Sequence, residues 1–220
     1  MENTNRSAGE ELAAKLLEEP KNAGLIMSDE EIAAADGFCE DYKKFLNAAK
    51  TEREACIEAI KRAKAAGFTE YDPTADYKAG DKFYFCNREK SVILTVMGKK
   101  PLAEGIRLAA AHIDSPRLDL KQHPLYEDRE LALFKTHYYG GIKKYQWTTI
   151  PMSLHGVIVK ANGEKVSVAI GEDEGDPVFC VTDLLIHLAS EQMKRTLAEG
   201  VKGEELNLLI GSRPFKDDKV

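Results

Sequence analysis

Two alternating runs joined at Asn162-Gly163 constrain this chain more than any other feature. Leu154 to Lys160 and Lys165 to Ile170 each alternate apolar and polar residues. Alternation of period two turns one face of an extended strand toward a core and the other toward water. Asn and Gly both tolerate positive φ, which a tight antiparallel turn requires. This stretch therefore reads as a β-hairpin.

The first third of the chain has a different period. Ser7 with Glu10, Ser28 with Glu31 and Thr51 with Glu54 each show the Ser/Thr-x-x-Glu spacing of a capping box. Behind each box, apolar residues follow at helical spacing: Leu12, Leu16 and Leu17; then Ile32, Cys39, Tyr42, Phe45 and Leu46; then Cys56, Ile57, Ile60 and Ala63. Gly67 sits where a C′ glycine would end the third helix. Successive helices of this kind are expected to pack as antiparallel neighbours.

Beyond Gly67 the residues turn strand-like at Phe83–Cys86 and Ser91–Met97, with Asn87–Lys90 as the turn between them. Ile106–Ala111 reads as a short buried strand. Residues 122 to 152 lack clean periodicity, and Gly171–Pro177 is an acidic loop. Thr182 is placed to cap a helix running through Leu184, Leu185, Leu188, Met193 and Leu197 to Gly200. Leu206–Ile210 reads as one more strand. The sum is an α/β fold.

Composition removes several functional classes. Among 220 residues, 31 Lys and Arg face 37 Asp and Glu, for a net charge of −6. That balance argues against a dedicated nucleic-acid binder. No apolar run approaches the roughly 20 residues that span a bilayer, and Met1–Glu11 has no apolar signal core. Cys39, Cys56, Cys86 and Cys180 lie far apart, without paired metal or redox spacing. They read as reduced core thiols of a cytoplasmic protein.

One segment is placed to carry chemistry. The apolar run ends in His112-Ile113-Asp114-Ser115-Pro116. Residues two apart on an extended chain project to the same side, so His112 and Asp114 leave the run together. A metal-bound imidazole commonly passes its second N–H to a carboxylate, which fixes the tautomer. The same pair also reads as an ordinary surface His–Asp contact, and spacing alone leaves both readings open.

The segment Ala109–Pro116, with Leu118 and Leu120-Lys121, is similar to the His-Thr-Asp-Ser-Pro signature of the aspartyl and vacuolar aminopeptidase family of dinuclear zinc exopeptidases. Lys78–Phe85 resembles that family's Gly-Lys-x-Tyr-Phe segment. Tyr138-Tyr139-Gly140-Gly141 matches its Tyr-Gly-Gly element, Trp147 falls near its aromatic position, and Ile186-His187-Leu188 matches an Ile-His-Leu triplet. The likeness runs from about Gly67 onward.

The resemblance implies residues 1–121 as the N-terminal part of a metallopeptidase catalytic domain and 122–220 as a β-rich dimerisation domain. His112 would ligate one of two zincs, with cobalt or manganese as substitutes, and Asp114 would orient it. His187 would reach a neighbouring subunit's active site. Peptides would lose their N-terminal residue, in a homo-oligomer built from dimers, up to a dodecamer. Residues 146–154 lack the family's Asp-Arg-Asp, so no preference for an acidic first residue is carried over. The family's bridging Asp, Glu-Glu pair and further ligands are expected downstream of this sequence. The alternative expectation is a non-catalytic dimerisation module that lacks most metal ligands.

Residues outside that signature give little. Asp183, His187 and Glu191 share a stripe apart from the apolar positions of their expected helix, which suits either a solvated or an interface histidine. His123, His137 and His155 have no ligand partners at diagnostic spacing, and Glu172–Asp176 lacks EF-hand spacing.

Overall fold

All three capping boxes form. In the computed structural model, which describes residues 7–18 and 20–213, the chain divides into two units, Met1–Asn47 and Ala48–Val220. The polar N-terminal stretch lies outside the described residues as far as Arg6. In the first unit, Ser7 caps helix α1 (Ala8–Leu16) and Ser28 caps α2 (Asp29–Ala48), each with its glutamate reaching back to the cap N–H. No residue of either helix is buried. The expected antiparallel packing of α1 and α2 is therefore not realised. Their apolar stripes remain exposed, as Leu16 and Phe38 show. Cys39 stands exposed on α2 for the same reason, contrary to its reading as a core thiol.

The second unit opens with Thr51, which caps α3 (Glu52–Ala65) through Glu54. The end of α3 is also as expected. The N–H of Gly67 donates to the Lys64 carbonyl and that of Phe68 to the Ala63 carbonyl, with Gly67 at φ 84°. These are the paired bonds of a Schellman motif, and glycine meets the left-handed backbone at no steric cost. A three-stranded sheet follows, in the order β1 (Thr69–Glu70), β2 (Lys82–Asn87), β3 (Ser91–Val96). β1 runs parallel to β2, and β2 pairs antiparallel with β3. α3 packs on β2 and β3 and buries Ala55, Cys56 and Ala63; Tyr84 of β2 is buried too. Burial raises the Cys56 thiol above its ordinary range.

A second sheet has the order β4 (Arg117–Asp128), β5 (Leu131–Tyr139), β9 (Leu208–Gly211), β8 (Cys180–Val181). Its core is Val181, Val201, Leu206 and Leu208, with Leu118, Phe134, Trp147 and Met152 packed against them. β4 and β5 occupy the region where no periodicity was legible. Their register shifts between Leu120 and Leu125, and such an irregularity breaks the two-residue alternation that marks a strand. The hairpin of β6 (Leu154–Val159) and β7 (Lys165–Ile170) forms as expected, with Gly163 at φ 85° in its turn.

Two expected elements do not form. Ile106–Ala111 pairs with no strand of the described residues, and Ile106 and Leu108 are exposed. A buried strand needs ladder partners and cover on its faces, and no described residue supplies them. Likewise the helix expected from Thr182 to Gly200 is replaced by turns and a short 3₁₀ segment, Gln192–Lys194. Leu184, Leu185, Leu188, Met193 and Leu197 are all exposed. Most helical stability comes from burying such a face, and here the face has no partner among the described residues. No helix of the described residues is long and apolar enough to cross a membrane.

Candidate active site

Ala109–Pro116 leads into β4 without regular structure or ladder partners, so side chains must hold it in place. His112 is almost fully exposed, its side chain 88% accessible. Its Nδ1 lies 3.2 Å from the Asp114 carbonyl oxygen and 3.8 Å from Asp114 Oδ1. A carbonyl only accepts, so Nδ1 carries the proton and donates to it. Nε2 has no partner among the described residues. A histidine that binds metal through one ring nitrogen commonly donates from the other.

The other carboxylate oxygen, Asp114 Oδ2, accepts a short hydrogen bond from the Tyr139 hydroxyl. That bond, more than any other contact, holds the Asp114 carboxyl below the usual carboxylate range; His112 and Arg117 act in the same direction. The same bond pushes the Tyr139 phenol up. Tyr139 is the register partner of Arg117 across β4 and β5. The Arg117 guanidinium lies over its ring, 4.3 Å from the centroid. Arg117 is itself held by Asp119, at 2.7 Å from Nε, and by Glu52 of α3, at 3.6 Å. Glu52, Lys90, Ile113, Asp114, Arg117 and Tyr139 line a pocket of about 200 Å³. Gly140 follows at φ 83°, where an added Cβ would stand 3.5 Å from Pro116.

His187 lies exposed in a turn, with no hydrogen bond or ion pair among the described residues. The stripe of Asp183, His187 and Glu191 does not form, because the helix that would align them is absent. Among the described residues no group of three or more His, Cys, Asp and Glu is arranged to hold a metal. His112 stands as a single exposed imidazole beside Asp114.

Sequence reasoning missed Tyr139, Arg117 and Glu52 as parts of this site. Tyr139 was visible only inside its Tyr-Gly-Gly element, and the β4–β5 register that brings it to Asp114 had no periodic signal. It also missed the partners of His155. Nδ1 lies 2.8 Å from Glu54 Oε1 and Nε2 lies 3.0 Å from Glu172 Oε1, the latter oxygen also accepting from Ser153. No local spacing announces partners on α3 and in the acidic loop. Two other histidines stay apart from any such cluster: His123 is exposed, and exposed His137 stacks on Tyr138.

Solved structures and curated proteins resemble this chain over most of its length. The crystal structure of an M18-family aminopeptidase from Thermotoga maritima matches with a TM-score of 0.83 and 40% identity, covering 92% of this chain and 44% of that one. Aminopeptidase I from Borrelia burgdorferi matches with a TM-score of 0.78 and 40% identity, covering 91% of this chain and 45% of that one. A probable M18 family aminopeptidase 1 of Clostridium acetobutylicum is 50% identical over 206 residues, 92% of this chain and 44% of the relative. The fold is that of the metallo-aminopeptidases. The model of the aminopeptidase I zinc metalloprotease family (M18) matches residues 45–219, and the chain belongs to that family. It spans less than half the length of the curated relatives it matches.

Proposed function

We propose that the chain is the N-terminal portion of a zinc aminopeptidase that removes the first residue from peptides. The observation that carries this reading is the His112 imidazole, whose Nδ1 lies 3.2 Å from the Asp114 carbonyl oxygen and whose Nε2 has no partner among the described residues. Family membership and relatives named as aminopeptidases support it. His112 would hold one zinc of a pair, Asp114 would orient the imidazole, and His187 would act at a partner subunit's site. Zinc supplies Lewis-acid polarisation of the scissile carbonyl and a more acidic bound water, and cobalt or manganese fits the same donor type. The remaining ligands and the general-base glutamate are assigned to sequence beyond these residues.

In this reading residues 1–121 belong to the catalytic domain and 122–220 to a dimerisation domain, a division that passes through β4. A homo-oligomer is proposed with it, by analogy to a yeast relative of 16–17% identity whose structure is described as a dodecamer. Four free cysteines support a reducing, cytoplasmic setting.

The test is His112→Ala in the full-length protein. Zinc content and release of the N-terminal residue are both expected to fall. Unchanged metal and activity would refute the assignment. The absence of a three-residue metal cluster among the described residues favours a second reading, a non-catalytic interaction module. Metal analysis and a peptidase assay on the 220-residue chain beside the full-length protein separate the two. Activity confined to the longer protein supports the first reading, and none in either supports the second.

A further inference from the structure

We propose that Tyr139 is a positioning residue for the metal ligand His112, acting through Asp114 and itself braced by Arg117. The proposal rests on the reading of His112 as a zinc ligand. Three observations carry it.

First, Asp114 meets both partners. Its main-chain carbonyl accepts from His112 Nδ1 at 3.2 Å, with carboxylate Oδ1 at 3.8 Å, and its Oδ2 takes the Tyr139 hydroxyl. Tyr139 thus fixes the residue whose carbonyl holds the imidazole. Without that hydroxyl, Asp114 can turn and carry the acceptor of His112 with it.

Second, the segment that carries His112 has no backbone ladder. Its position is therefore set by side-chain contacts. The Tyr139–Asp114 bond ties it to β5, supported by Arg117 Nη1 donating to the Ser115 carbonyl.

Third, Tyr139 is itself held. Its ring lies under the Arg117 guanidinium, 4.3 Å away, and Arg117 is anchored to both Asp119 and Glu52. An exposed phenol is normally free to change rotamer; a cation on its face and a carboxylate at its hydroxyl leave it one useful orientation. The stack runs from α3 through β4 and β5 to the exposed histidine.

The phenol hydroxyl supplies the decisive contact, and Tyr139→Phe removes it while keeping the ring under Arg117. Partners beyond the ligands typically cost 10–100-fold in metal affinity when lost. Because Tyr139 acts through Asp114, the expected loss is about tenfold in zinc affinity, at the low end of that range. The experiment uses the full-length protein and zinc alone as probe, with a competing chelator to set free zinc. Thermal melting of each apoprotein is followed in parallel. The cobalt-substituted proteins are compared by visible absorption, which reports ligand geometry and does not respond to a structural loss elsewhere.

Tyr139→Phe should weaken zinc binding about tenfold and alter the cobalt spectrum without lowering the melting temperature of the apoprotein. Asp114→Ala, which leaves the Tyr139 hydroxyl without its acceptor, should do the same. Unchanged zinc affinity and cobalt spectrum in Tyr139→Phe, with His112→Ala losing zinc, would overturn the positioning role and leave the ligand assignment standing. Unchanged zinc affinity in His112→Ala would overturn the ligand assignment, and the positioning role with it. A lowered melting temperature with an unaltered cobalt spectrum would make Tyr139 a purely structural residue and so refute the proposal.

Discussion

His155 Nδ1 lies 2.8 Å from Glu54 Oε1, across 101 residues of sequence, and ties β6 to the first turn of α3. The imidazole is nearly enclosed, its side chain 11% accessible, and its other nitrogen faces Glu172. The groups around it are therefore two carboxylates, the Ser153 hydroxyl that shares Glu172, and Lys50, which acts on Glu172. Burial works against charge on His155, but the hydrogen bonds to Glu54 and Glu172 outweigh it and raise its pKa above the ordinary 6.5. Ser153 and His155 lower that of Glu172 below 4.5.

The pH dependence follows from those directions. A raised histidine pKa adds stability that is fully present below 6.5 and fades as pH climbs through the raised value. A depressed glutamate pKa adds stability present above 4.5 and lost as pH falls through the depressed value. The gap in melting temperature between wild type and His155→Gln should thus be widest from pH 4.5 to 6.5. Melts across pH 3–9 on the order of one unit apart check this. A gap that grows toward alkaline pH would contradict the clasp.

Glu54 has two tasks at once. Its carboxylate closes the capping box by accepting from Thr51 N–H at 2.9 Å, and it also binds His155. Glu54→Gln and His155→Gln should each cost about 1–2 kcal/mol, as lost caps and charged hydrogen bonds do. Together they should cost less than the sum by about 0.5 kcal/mol or more, because they remove one shared bond. Urea unfolding of the two single variants and the double variant measures the coupling, and strict additivity would rule it out.

Leu206 is fully buried, whereas Leu184 is 53% exposed. Leu206→Ala should therefore destabilise by about 2–5 kcal/mol, and Leu184→Ala by about 0.5 kcal/mol at most. Chemical denaturation of the 220-residue chain compares them directly. Equal losses would mean that the 182–197 segment is packed after all.

His187 is exposed and makes no hydrogen bond or ion pair among the described residues. In the full-length protein, His187→Ala should lower kcat about 10²-fold or more, as loss of a positioned polar group at a reacting centre does, while zinc content stays intact. Metal analysis beside steady-state kinetics decides it. Loss of metal would contradict a role on the substrate side.

Local chemistry was legible in the residues themselves. The glutamates at Glu10, Glu31 and Glu54, the Gly67 stop and the Asn162-Gly163 turn each act within a few residues, and each forms as read. His112 with Asp114 was legible for the same reason, being two residues apart in the chain. Elements that depend on distant cover were not. Ile106–Ala111 and Thr182–Leu197 have apolar patterns that ask for a strand and a helix. Apolar periodicity states a preference for burial and does not supply the surface that buries it.

The sequence by itself determined where helices begin, where the hairpin turns, and that His112 and Asp114 stand together, because caps, turns and alternation are contacts of short range. Only the tertiary structure decided that Tyr139 meets Asp114 and that His155 joins Glu54 to Glu172. Those contacts depend on strand register and on helix-to-hairpin packing. They are set by how elements far apart in the chain bury their shared faces, and no local spacing encodes that.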